Sequence, residues 1–592
     1  MVTYNAPLRE MKFVLDELLG AESLSELPGF GEATPDLFEA VLTEAAKFCQ
    51  NELLPLNLSG DAEGCTFENG VVRTPKGFKE AYGKFVEAGW PALSGDPAYG
   101  GQGMPHLLQF VVEEMICATN LSFGMYPGLS AGAYNALYQH GTDDLKTVYL
   151  PKLVSGEWAG TMCLTEPHCG TDLGLLRTKA EPQADGSYAI TGTKIFISAG
   201  EHDLTDNILH LVLARLPDAP AGVRGISLFL VPKFLVKDGG SGPRNGAVCA
   251  SIEHKMGIKA SSTCVMNFDG ATGWLVGEAH KGLRCMFTMM NAARLGVGMQ
   301  GLGLAETAYQ TAVAYAKDRR QGKSLDKAKQ GRESADPIIV HPDVRRMLLK
   351  MRSVTEAARA LAYWVGMLLD VAAKHPDADK RQEADDLVAL MTPIVKGYLT
   401  DHGFEAANLA VQVHGGHGYI HEYGVEQLVR DARITQIYEG TNGIQALDLV
   451  GRKMGQDYGR LLRRFFHPAA SFIEAHQTEA GMAEFLLPFG KAMAKLQQAT
   501  AVIAQKGLAK PEEAGAAATD YARMFGLVVF AFLWCRMAKI ALDKHSEDPA
   551  FYGAKLATAR FFMARVLPEH GSLFLNIMAG GKSVMEMEEA AF

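Results

Sequence analysis

The hydrophobic spacing of the chain changes between about Thr161 and Glu278, and helical spacing resumes on both sides of that interruption. Inside it, Tyr188–Ser198, His210–Arg215 and Gly225–Val231 are rich in β-branched and aromatic residues, and Asp185-Gly186 and Asp269-Gly270 read as turns between strands. A compact β domain is therefore expected between two helical regions. Upstream, Thr34 can cap a helix that has Pro35 at its first position, with Leu37, Val41, Ala45 and Phe48 following at helical spacing; breaks are expected at Pro55, Gly100–Gly103 and Gly128. Downstream, helical spacing runs through Met299, Leu302, Ala305, Tyr309, Ala312 and Ala316, then from Val344 to Leu361. It resumes over Leu387–Tyr398 and again over Phe404–Val413. Beyond Gly459 come three more amphipathic stretches, around Lys491–Ala504, Ala516–Leu542 and Ala550–Leu567. The order implies a multidomain α+β protein: a 1–34 extension, a helical domain over 35–160, a β domain over 161–279, a helical bundle over 280–458 and a helical extension over 459–592.

A chain of 592 residues exceeds what one core supports, so several domains are required. A net charge of −10 provides no broad basic surface, which argues against nucleic acid or an anionic membrane as the main partner. Nine scattered cysteines without a CxxC pair suit a reducing compartment, and Met1–Glu10 does not resemble an export signal, so the cytoplasm is expected. The longest apolar run, Phe525–Cys535, is too short to span a bilayer, so no integral membrane segment is expected.

Two segments carry chemistry. Ile437-Tyr438-Glu439-Gly440-Thr441-Asn442-Gly443 sets a carboxylate beside a glycine that permits unusual dihedrals and close approach to a flat ligand. Far upstream lies Cys163-Leu164-Thr165-Glu166-Pro167-His168-Cys169-Gly170-Thr171-Asp172. Together these resemble the I-Y-E-G-T and T-E-P-x-x-G-[ST]-D motifs of the acyl-CoA dehydrogenase family, and the general likeness is to its extended bacterial members. The resemblance implies a helical N-terminal domain, a middle β-barrel and a C-terminal helical bundle, here with an extra helical domain.

It also implies FAD-dependent α,β-dehydrogenation of an acyl-CoA thioester, with a fatty acyl or 3-methylthiopropionyl group as substrate, and so a place in fatty acid metabolism and β-oxidation. Glu439 would be the base that removes the α-proton, its own backbone N–H and a flavin hydroxyl holding the thioester oxygen while hydride leaves the β-carbon. Thr165, with the Cys163 and Leu164 backbone, would meet the flavin ring. Phe196 and Ser198, in Lys194-Ile195-Phe196-Ile197-Ser198, stand where the family usually has tryptophan and threonine against the isoalloxazine.

Arg319, in Asp318-Arg319-Arg320-Gln321-Gly322, would bind FAD pyrophosphate from the neighbouring subunit, although the phenylalanine the family places before the glycine is missing. Gln412, Gly415 and Gly416, in Gln412-Val413-His414-Gly415-Gly416-His417-Gly418, resemble the turn that touches the partner's FAD, and Thr441 would contact FAD as well. Thr171, Asn291, Arg294 and Tyr438 are the expected substrate contacts; a helix-surface salt bridge explains Arg294 equally well. His414 and His417 lack a third ligand at metal spacing, so no metal is expected. Partners implied are an acyl-CoA, an electron-transfer flavoprotein and a second copy in a homodimer. An acyl-CoA oxidase that uses oxygen, or a non-catalytic assembly protein on the same fold, are the alternatives. Gly296–Gly301 forms a GxGxxG, but its flanks are helical in period, so the glycines are expected to serve close helix packing and not a dinucleotide.

Overall fold

A computed structural model of the protein describes residues 2–592. The chain forms two compact units: one comprises the chain up to Ala46, Pro105–Ala118 and Val297–Phe592, and the other Lys47–Met104 and Thr119–Gly296.

The second unit is built on seven strands: β1 (Trp158–Cys163), β2 (Lys179–Pro182), β3 (Tyr188–Ser198), β4 (Asn207–Arg215), β5 (Ile226–Pro232), β6 (Ala247–Ile252) and β7 (Thr263–Val276). β7 pairs with β3, β3 with β2, β2 with β4 through Lys179 and Arg215, β4 with β5, and β5 returns to β7. Five strands thus close a ring, which removes the exposed edges an open sheet would leave. β1 extends the ring parallel to β4, and β6 extends it antiparallel to β7.

β4 is buried on both faces, and its alternation sorts two cores. Val212 and Ala214 pack inside with Ile190, Phe229, Val231 and Phe268. Leu209, Leu211 and Leu213 pack outward with Ala133, Leu137 and Met289. The helix Leu121–His140 lies close on β1, for a Cβ at Gly160 would stand 2.3 Å from Ala133. This helix runs through Pro127 and Gly128, so the expected break at Gly128 is corrected: tertiary packing overrides the local breaker.

The three expected strands coincide with β3 and with most of β4 and β5. Asp269-Gly270 does not join two strands, however. It is a bulge within the 14-residue β7, where Phe268 faces Gly192 and Ala271 faces Ile190.

The first unit is helical. Its elements include α1 (Pro35–Phe48), α2 (His106–Thr119), α3 (Gly282–Asp318, in this unit from Val297 on and in the other up to Gly296), α4 (Pro342–Lys374), α5 (Ala378–His414), α6 (Val425–Thr435), α7 (Asn442–Asp448), α8 (Arg460–His476), α9 (Ala483–Ala509), α10 (Pro511–Asp543) and α11 (Pro549–Phe561). The hydroxyl of Thr34 accepts from the Leu37 N–H at 3.3 Å, so the expected cap is present. The two stretches read as separate helices over 387–398 and 404–413 are parts of one 37-residue α5.

The GxGxxG glycines lie inside α3. A Cβ at Gly298 would stand 2.4 Å from Val395 Cγ1, and one at Gly301 would stand 2.6 Å from the Leu399 carbonyl oxygen, so these glycines bring α3 against α5.

α10 corrects the membrane argument. The helix around the 525–535 run is long and apolar enough to cross a bilayer, but 78% of its most apolar window is buried inside the protein. Trp534 on α10 donates from Nε1 to the Ser353 carbonyl at 3.0 Å. Lys555 on α11, fully buried, pairs with Glu356 at 2.7 Å and with Glu10. Arg359, also buried, reaches Glu114 at 2.7 Å and Glu306 at 2.6 Å. The two ends of the chain are thereby tied to the bundle by ion pairs that have almost no access to water.

Candidate active site

In the β unit the Thr165 loop is held from beneath. Glu166 is 3% exposed and accepts from the backbone N–H groups of Arg177 (2.7 Å) and Thr178 (3.0 Å), from the Thr178 hydroxyl (2.6 Å) and from Lys194 Nζ (2.8 Å). Burial alone would raise its carboxyl, but Lys194 and these donors outweigh it and hold Glu166 below the usual carboxylate range. Lys194 also donates to the Leu164 carbonyl at 2.9 Å, and Ile195 N–H donates to the Thr165 carbonyl at 2.9 Å. Leu164, Thr165 and the start of Ile195-Phe196-Ile197-Ser198 are thus laced together.

Cys163 contributes only backbone there. Its side chain is fully buried, Sγ lies 3.5 Å from Thr161 Oγ1, and burial pushes the thiol up to about 12.

Phe196 stands out. On β3 Lys194 faces Met266 and Ile197 faces Cys264, so two residues bulge against one, and Phe196 takes φ 58°. A left-handed non-glycine residue costs about 1 kcal/mol, and this one also leaves an aromatic ring 60% exposed. Left-handed non-glycine residues of this kind cluster at ligand sites. Ser198 pairs across to Thr263 at the end of the same strand.

The remaining expected residues of this unit fall in two places. Thr171 is exposed next to Asp172, whose carboxylate accepts from Gly174 N–H at 3.0 Å. Asn291 and Arg294 lie one turn apart on α3, with Arg294 Nη1 3.3 Å from Asn291 Oδ1. Arg294 is 5% exposed, which overturns the surface salt-bridge reading.

In the helical unit Glu439 sits between α6 and α7 with φ 57°, followed by Gly440 at φ 82°. Thr441 caps α7, its hydroxyl accepting from Ile444 N–H at 3.3 Å. The Tyr438 hydroxyl donates to Gln300 on α3, and burial, with the Glu439 charge adding to it, raises that phenol well above its ordinary value.

A second group gathers around Tyr315. Arg319 N–H bonds the Tyr315 carbonyl at 2.8 Å, the Tyr315 hydroxyl meets His417 Nδ1 at 2.9 Å, and His414 stacks on the Tyr315 ring at 4.1 Å. His417 stacks on Tyr423 at 4.5 Å. The histidines therefore belong to an aromatic cluster that brings Arg319 to the Gln412, Gly415 and Gly416 turn.

Both glycines are exposed with open space where a side chain would stand, and Gly415 has φ 59°. Arg320 is paired with Glu333 at 2.8 Å, whereas Arg319 faces solvent. An exposed guanidinium and an exposed glycine turn on the same unit are groups that suit a phosphate. Each set, taken within its own unit, fits a part of FAD: the exposed Phe196 ring suits a flavin ring, and the arginine and glycine turn suit its phosphates.

Glu166, His168 and Cys169 place ligand atoms within 4.8 Å of one another. Glu166 is already saturated by four donors, and the Lys194 ammonium beside it opposes a cation. What sequence reasoning missed are Lys194, Thr178, Asn442 and Gln445. Glu166, Lys194 and Asn442 lay inside the quoted motifs, but no spacing rule signals which side chain braces which loop.

Residues 36–157, 161–271 and 280–454 match the N-terminal, middle and C-terminal domains of acyl-CoA dehydrogenases, and residues 465–588 match the acetyl-CoA dehydrogenase C-terminal-like domain. The chain belongs to the acyl-CoA dehydrogenase family and is an FAD-dependent enzyme of acyl-CoA oxidation. It is 45% identical to the 3-methylmercaptopropionyl-CoA dehydrogenase of Ruegeria pomeroyi over 99% of each chain. It is 34% identical to the broad-specificity linear acyl-CoA dehydrogenase FadE5 of Mycobacterium tuberculosis over 100% of each. The acyl-CoA dehydrogenase of Bacillus anthracis, solved with FAD, shares the fold, with a TM-score of 0.74 at 21% identity, covering 96% of this chain and 91% of that one.

Proposed function

We propose that Glu439 is the base that removes the α-proton of the acyl-CoA thioester. The observation that carries this is a carboxylate on a left-handed turn, the conformation of a side chain held ready for a ligand. A carboxylate base needs only to be aimed at the acidic carbon, with a donor such as its own backbone N–H on the thioester oxygen, where negative charge develops. FAD, when bound, accepts the β-hydride. On the β unit the Cys163 and Leu164 backbone, Thr165, Phe196 and Ser198 would hold the flavin; on the helical unit Arg319, Gln412, Gly415 and Gly416 would hold the FAD of the neighbouring subunit and Thr441 would contact FAD as well; Thr171, Asn291 and Arg294 would serve the CoA thioester. Tyr438 has its hydroxyl committed to Gln300, so its part is to fix the turn from which Glu439 projects. Glu439→Gln tests the assignment: flavin and thioester binding persist, and flavin reduction is nearly abolished.

The acyl group is a short one of the 3-methylthiopropionyl type. Full-length identity of 45% to an enzyme of that name supports this over a long fatty chain. A panel of short, long, aromatic and sulfur-containing acyl-CoA thioesters, followed by flavin bleaching, tests it; preference for a long-chain thioester would refute it.

Electrons pass to an electron-transfer flavoprotein, as the family assignment supports, and the enzyme works in the cytoplasm as a homodimer. Exposed Arg319 and the Gly415-Gly416 turn, with Tyr419 86% exposed beside them, support a second copy at this face. Nine free thiols suit a reducing compartment. Peroxide formation in air, or a monomer on sedimentation, would count against these readings.

A further inference from the structure

The base turn is braced by two side chains that stand outside the chemistry. Gln445 on α7 is 1% exposed, and its Nε2 donates to the Glu439 carbonyl at 3.1 Å and to the Gly440 carbonyl at 3.3 Å. The amide turns its donor end on two consecutive carbonyls, so the arrangement fixes the peptide planes on both sides of Gly440. The space is tight: a Cβ at Gly440 would stand 2.8 Å from that same Nε2.

Asn442 ties the other side of the turn to α5. Its Nδ2 donates to the Gly397 carbonyl (3.1 Å), Thr400 Oγ1 (3.0 Å) and Asp401 Oδ1 (2.7 Å), and its Oδ1 accepts from the buried Lys396 Nζ at 2.8 Å. Gln436, just ahead of the turn, donates to the same Asp401 oxygen at 2.7 Å. A short loop holding a non-glycine residue at φ 57° is thus pinned at its entry, its centre and its exit. Removing the pins would let Glu439 relax toward a common conformation and carry its carboxylate elsewhere.

We infer that Gln445 and Asn442 are positioning residues for catalysis, holding Glu439 in the left-handed conformation from which it meets the α-carbon. This rests on the reading of Glu439 as the base.

The test uses the FAD-loaded enzyme and acetyl-CoA, a thioester with α-hydrogens and no β-carbon, so that hydrogen exchange into D2O reports on the base alone. Gln445→Met keeps the length of the side chain and removes the donor. Exchange is expected to fall about 10- to 100-fold, as for a catalytic group displaced by about 1 Å, while the Kd for acetyl-CoA and the FAD content stay unchanged. Asn442→Asp, which sets a carboxylate against Asp401, is expected to act in the same direction, and kcat for the true substrate is expected to fall with KM unchanged.

Glu439→Gln serves as the reference. If it abolishes exchange while Gln445→Met and Asn442→Asp both exchange at the native rate, the positioning role is overturned and the base assignment stands. If Glu439→Gln itself exchanges at the native rate, the base assignment falls first. A loss of exchange in Gln445→Met matched by equal loss of FAD or of folded protein would also overturn the inference, since a purely structural residue behaves that way.

Discussion

The ammonium of Lys194 lies 2.8 Å from Glu166 Oε1, with side-chain exposures of 0% and 3%. Each charge is buried against the other, so removing one leaves the other buried without that counter-charge. Breaking a buried pair costs about 3–5 kcal/mol. Lys194→Met is expected to lose stability in that range in denaturant titration and, because Lys194 also grips the Leu164 carbonyl, to retain FAD less tightly on gel filtration.

The same pair sets an acid limit. Glu166 is held below the ordinary carboxylate value in the folded protein, so its stabilisation is fully present above the unfolded pKa of about 4.3 and is lost as pH falls through the lower folded value. Thermal melts of the native protein and Glu166→Gln are expected to differ at pH 6 and to converge as the pH drops below about 4.

Glu439→Gln keeps the size of the side chain and removes the base. Flavin reduction under anaerobic single turnover is expected to slow by at least about 10²- to 10⁴-fold, with acyl-CoA still binding. Rapid bleaching in this variant would contradict the role of Glu439.

Arg319→Ala is expected to weaken FAD retention by the loss of a charge-assisted hydrogen bond, about 1.5–3 kcal/mol. Arg320→Ala, whose partner Glu333 is on the surface, is expected to change FAD affinity little. Equal effects would place the phosphate contact on the wrong arginine.

Gly301→Ala would press a methyl group to 2.6 Å from the Leu399 carbonyl oxygen, a backbone atom that cannot swing aside. A destabilisation of about 1–3 kcal/mol is expected in denaturant titration, against the usual gain from glycine to alanine within a helix.

How far the chain could be read in advance depended on how local each cause was. The Thr34 cap and the strands around Tyr188–Ser198 follow from neighbours in sequence, and they were legible. The Asp269-Gly270 bulge looks like a turn to any local rule; only its pairing with β3 shows that the strand continues. Gly128 and Pro127 read as breakers because the packing that holds their helix comes from elsewhere. Family motifs pointed to Glu439 and Thr165, yet the residues that brace them, Gln445, Asn442, Glu166 and Lys194, act through contacts that no periodicity encodes. Arg359 and Lys555 are plainer still, since a buried cation is legible only once its carboxylates are in view.

The 545-residue separation between Glu10 and Lys555 has a temporal meaning. During synthesis the first helical turns leave the ribosome long before the ion partner that completes their burial exists, so Glu10 must wait in water until α11 emerges. The packing of the first helical turns against α11 is consequently completed late, and a message cut short before α11 would leave Glu10 without its ammonium partner.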